Sequence, residues 1–67
     1  MDGRDDRDRA ERLALRDRLI DELGLPPELA EQWVRAWEVE AIDRGLAPAD
    51  ARYWDGAWEW IIARRTR

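Results

Sequence analysis

The sequence contains no cysteine and no histidine, and it also lacks lysine, serine, asparagine and phenylalanine. Without cysteine no disulfide can staple the fold, and without histidine as well the usual zinc ligand sets are missing. The same gaps remove most catalytic chemistry. The Ser, Cys and Lys nucleophiles and the imidazole base that works near neutral pH are all absent, and Thr66 is the single aliphatic hydroxyl. No enzyme, cofactor or metal site is expected. The carboxylate-rich start DGRDDRD, residues 2–8, is interrupted by Arg and lacks the alternating oxygen ligands and closing Glu of a calcium loop. Its expected state is a solvated helix start that frays over residues 1–5.

Long apolar runs are missing too. The longest, Trp60–Ala63, spans four residues, so no membrane-spanning helix is expected, and the charged start does not read as a signal peptide. Every one of the 12 basic residues is Arg, a usage that reads as GC-rich coding and points to a small bacterial, cytoplasmic product. The net charge is −4 with both signs interspersed, which favours solubility and disfavours a polyanion-binding surface.

What the chain does have is tryptophan. A chain of 67 residues forms one domain and buries only about 60% of its unfolded surface. Five Trp, each able to bury roughly 150–250 Å², are the available means of building a core. Punctuation then divides the chain. LGLPPE (23–28) and RGLAPAD (44–50) each carry Gly, Leu and Pro in that order, the grammar of a helix stop followed by a helix start. The spacing predicts an all-α, compact three-helix domain with a Trp-rich core and helices at about 6–23, 27–44 and 48–65.

The second and third predicted helices repeat at an offset of 21 residues. Trp33, Ala36, Trp37 and Glu38 fall on Trp54, Ala57, Trp58 and Glu59, which predicts a helical hairpin with equivalent Trp pairs facing one core. At 100° per residue, Leu29, Ala30, Trp33, Val34, Trp37 and Ala41 share a face of the second helix. In the first helix the stripe is Leu15, Leu19, Ile20 and Leu23. The spacings Asp8/Arg12, Glu31/Arg35 and Glu40/Arg44 predict i, i+4 ion pairs, which account for Glu40 without any acid–base role.

Trp60 falls outside the main face of the third helix. With Ala49, Tyr53, Gly56 and Ala63 it makes a 4-3-4-3 seam on a continuous helix, a second apolar stripe with Tyr53 and Trp60 as knobs. Either the first helix covers that seam or another chain does. The function expected is a non-enzymatic protein–protein interaction module, binding through Tyr53, Gly56 and Trp60 with Val39 and Ile42 beside them. Self-association as a homodimer is its simplest form, and a small adaptor or inhibitor would look the same. The alternative is a nucleic-acid accessory protein using Arg64, Arg65 and Arg67 next to Trp60. From residue 48 onward, however, four Arg face three carboxylates, a weak basic excess.

Overall fold

The computed structural model describes residues 3–48 and 50–66, with residues 3–5 described by their backbone alone. The first Gly-Leu-Pro segment stops one helix and starts the next where the grammar puts them, while the second stops a helix within a residue of the expected end but starts none at Pro48. Helix α1 (Gly3–Leu23) stops before Gly24, and α2 (Pro27–Asp43) starts with Pro27 in its first turn behind the extended Pro26. A proline there forfeits nothing, because the first N–H groups of a helix have no intrahelical acceptor. At the other end Gly45, with φ +83°, donates to Ile42 O at 2.9 Å while Leu46 donates to Ala41 O at 2.9 Å. This paired capping of the last carbonyls reverses the chain and turns Leu46 back toward the core.

Helix α3 (Ala57–Arg65) is half the expected length. The segment 50–56 is not helix but a string of tight turns, in which Tyr53 N–H donates to Asp50 O, Asp55 N–H to Arg52 O and Ala57 N–H to Trp54 O. In a continuous helix the Tyr53 carbonyl would accept from Ala57 N–H. Here it accepts from the indole Nε1 of Trp37 at 2.9 Å instead. Gly56 completes the break with φ +82°, a left-handed conformation that costs an L side chain about 1–2 kcal/mol. The predicted helix over 48–65 is thus split by a tertiary hydrogen bond and one glycine.

The three helices form a compact all-helical domain with no strand among the described residues, α1 lying along α2 and α3 packing on α2. Its thinnest dimension is 15 Å, about the span of two packed helix layers, so a single layer of core side chains lies between them. The core stripe of α2 is Ala30, Val34, Trp37 and Ala41, spaced 4-3-4. Onto it close Leu19 of α1, Leu25 of the first connection, Tyr53 of the turn segment, and Ala57 and Ile61 of α3.

The repeat does not produce equivalent halves. Of Trp33, Trp37, Trp54 and Trp58, Trp37 alone is fully enclosed, while the others are partly buried at the core's edge. Leu29, expected inside, is 39% exposed. The two large rings fully inside this core are Trp37 and Tyr53, one from α2 and one from the turn segment.

Two substitutions test this arrangement. Trp37→Phe keeps an aromatic ring but removes the indole N–H, leaving the buried Tyr53 carbonyl without a donor and a void beside it, and should cost more in denaturant unfolding than the roughly 1–3 kcal/mol of the lost hydrogen bond. Gly56→Ala adds a methyl group with no atom within 4 Å, so its expected loss of about 1–2 kcal/mol is backbone strain alone. A neutral result would mean that residues 50–56 can join α3 as one helix.

Candidate interaction surface

The five residues expected to bind a partner are separated by the fold. Tyr53 is 1% exposed, held in the core with its ring edge-on to Trp54 at 5.1 Å. Gly56 sits at the left-handed break. Trp60 is partly buried and meets Trp37 edge-on, with ring centroids 5.8 Å apart. The expected seam therefore does not exist as one helical face, because its 4-3-4-3 spacing needs a helix through Gly56. Ala49, its first member, lies outside the described residues. The seam's two aromatics are core and core edge, closed off by α2 rather than presented to solvent.

Val39 and Ile42 are placed differently. They are 59% and 60% exposed on α2, the most exposed large apolar side chains among the described residues. Leu13 of α1, which the sequence reading did not single out, is 42% exposed. Its position about 120° around α1 from Leu19 was the available signal. Leu13 forms one wall of a cleft of about 320 Å³ between α1 and α2, lined also by Arg12, Arg16, Glu31, Val34, Arg35 and Glu38. Ile42 lies one turn beyond Glu38 on the same flank of α2.

Charge around this cleft is largely committed. Arg12 Nη2 bridges Asp8 Oδ2 at 3.3 Å and Glu38 Oε1 at 2.8 Å, and Asp8 Oδ1 in turn accepts from Trp54 Nε1 at 2.9 Å. One guanidinium thereby joins α1, α2 and the turn segment. Arg16 Nη1 reaches Glu31 at 3.3 Å, the carboxylate that the sequence reading paired with Arg35. The other two expected pairs form, Asp8 with Arg12 at 3.3 Å and Glu40 with Arg44 at 2.8 Å. Among the described residues Arg35 has no ion-pair partner, and Arg16 Nε is buried without an acceptor.

The cations at the other end of the molecule are used inside it. Arg64 stacks 4.6 Å above the Trp60 ring and Arg18 3.8 Å above Trp58. Arg64 and Arg65 close the last turn of α3, where cations offset the helix dipole. Arg67 lies outside the described residues. No group of three or more carboxylates is arranged to hold a metal ion, and no helix is long and apolar enough to cross a membrane, among the described residues.

The buried Tyr53 hydroxyl is held above its ordinary pKa of 10.0, first by burial and then by the negative charges of Glu38 and Asp8, with Arg12 opposing. The folded chain therefore keeps this proton more tightly than the unfolded chain. Its contribution to stability should be level below about pH 10 and decline as pH rises through the unfolded and then the folded value. Tyr53 is the single tyrosine, so tyrosinate absorbance titrates it directly. A midpoint at or below 10.0 would contradict its enclosure.

Set against protein-family models, curated proteins and solved structures, the chain matches none of them.

Proposed function

We propose that the protein is a non-enzymatic interaction module that docks another protein along α2 and the α1/α2 cleft. The observation that carries this reading is the exposure of Leu13, Val39 and Ile42, at 42–60%, on a domain whose own core is already filled by Trp37 and Tyr53. Leu13 walls the cleft over Val34, Ile42 lies one turn beyond Glu38 on its α2 side, and Val39 faces outward from α2. The missing nucleophiles and imidazole support a binding role over a catalytic one.

Self-association is a weaker form of this reading than the sequence suggested. A stable dimer buries about 800 Å² per partner, roughly a sixth of the 4916 Å² surface. Among the described residues four large apolar side chains, Leu13, Leu29, Val39 and Ile42, are exposed, so a dimer interface of that size would include much charged surface. A single docked segment needs less. The nucleic-acid alternative loses support from the C-terminal arginines, since Arg64 is stacked on Trp60 and the basic excess is small.

The test pairs sedimentation equilibrium with binding by a surface variant. The wild-type chain should remain monomeric across dilution at low and high salt. Val39→Gln with Ile42→Gln, both at solvent-exposed helix positions, should leave the thermal midpoint nearly unchanged and abolish retention of any partner that the wild type holds. A partner retained equally by both would remove this face from the reading. A salt-insensitive dimer dissolved by the double variant would make the partner a second copy.

A further inference from the structure

We infer that residues 51–56 are a two-state latch, turned in the ground state and, in a second state, joined to α3 as one helix from Ala51 to Arg65. The latch is independent of the docking reading and belongs to a different part of the molecule. The turned state is already close to helix. None of residues 50–55 has a positive φ, and Gly56, at +82°, is the one left-handed residue of the segment. Its turn bonds are Tyr53 N–H to Asp50 O at 3.0 Å, Asp55 N–H to Arg52 O at 3.1 Å and Ala57 N–H to Trp54 O at 3.3 Å. Each reaches back three residues where an α-helix reaches four. Asp50 already holds a cap in place, since its Oδ1 accepts from Arg52 N–H at 3.0 Å, the bond by which an N-cap residue opens a helix at the next position. Conversion needs one glycine to change hand and the turn bonds to lengthen their reach by one residue.

The 21-residue repeat locates what tunes the balance. Trp33–Glu38 runs unbroken within α2, and Trp54–Glu59 shares four of its six residues. The two that differ are Asp55 and Gly56, in place of Val34 and Arg35. Both are poor helix formers, Gly by about fivefold against Ala and Asp by about threefold.

Two indole N–H groups hold the turned state. In the helical state Ala57 N–H takes the Tyr53 carbonyl, and the Trp37 indole N–H is left inside the core without an acceptor. Trp54 Nε1, bonded to Asp8 Oδ1 at 2.9 Å, anchors the same segment to α1. Local backbone preference and tertiary hydrogen bonds thus pull six residues in opposite directions, which is the condition for a bistable element. In the helical state Tyr53, Gly56, Trp60 and Ala63 fall at 3-4-3 spacing on one helix, so the latch decides whether that stripe exists as a single face.

Nuclear magnetic resonance saturation transfer on the full chain tests the latch, following the Cα signals of residues 51–56 and the Trp37 indole N–H. The second state should show helical Cα values at 51–56 and exchange in step with the indole, while α1 and α2 stay unchanged. Gly56→Ala strains the turned state by about 5–30-fold and favours the helix by about fivefold, so the helix-to-turn ratio should rise at least about 25-fold. Gly56→Asn tolerates the left-handed region and is a weak helix former, so it should raise the ratio far less. Asp55→Ala, at an exposed position that adds no strain, should raise it about threefold.

Coil values at 51–56 in the second state, or a second state that includes α1 and α2, would be unfolding and would overturn the latch. So would equal effects of Ala and Asn at position 56, or a folded Gly56→Ala chain with turned Cα values and no second state. Where Gly56→Ala does not fold, Asp55→Ala decides, and a ratio unchanged from wild type sinks the inference.

Discussion

The rest of the structure depends on one hydrogen bond, from the indole N–H of Trp37 to the carbonyl of Tyr53. It uses the acceptor that a continuous helix would have offered to Ala57, and together with the left-handed Gly56 it holds the chain out of helical geometry over 50–56. Because both residues are enclosed, water cannot substitute for either partner. The bond therefore ties the position of the 50–56 segment to the rotamer of one side chain on α2. With that segment in place, Tyr53 fills the space over α2, and α3 leaves Gly56 in a new direction with Ala57 and Ile61 inward.

A second, more exposed set of contacts reinforces the same junction. Trp54, next to Tyr53, donates to Asp8, and Asp8 shares Arg12 with Glu38. Exposed ion pairs are individually worth little, about 0–1 kcal/mol. Their value here is positional, since they fix the angle between α1 and the turn segment where the core is one side chain deep. Small domains without disulfides or metals have few ways to hold three elements at one point. An arginine shared between two carboxylates, with an indole N–H on one of them, is such a way.

The interaction surface follows from how the aromatics are spent. Enclosing Tyr53 and setting Trp60 edge-on to Trp37 removes the residues best suited to anchor a partner. The exposed large apolar side chains that remain are aliphatic and modest in area, Leu13, Val39 and Ile42 among them, with a cleft whose floor is Val34 and whose rim carries Arg12, Arg16 and Arg35. Such a surface suits a short segment more than a broad hydrophobic interface.

By itself the sequence determined the helical class, the number of helices, the C-terminal end of α1 and, to within a residue, both ends of α2. Those features are local: a glycine at positive φ after the last turn, a proline in the first, and apolar spacing near 3.6 residues between them. The missing His, Cys, Ser and Lys bounded the chemistry in the same local way. The tertiary structure decided what became of residues 48–56. Their composition and capping grammar favour helix, and no local rule signals that a tryptophan 16 residues earlier will claim the Tyr53 carbonyl. It also decided which Trp of the repeat is enclosed, because Trp37 and Tyr53 fill the centre of the core and leave the matching Trp58 at its edge. The candidate site divides along the same line. Val39 and Ile42 could be read as off the core face from helical spacing alone. The Leu13–Arg35 cleft exists only because α1 and α2 pair in a particular register, which also brings Arg12 to Glu38 across 26 residues of chain.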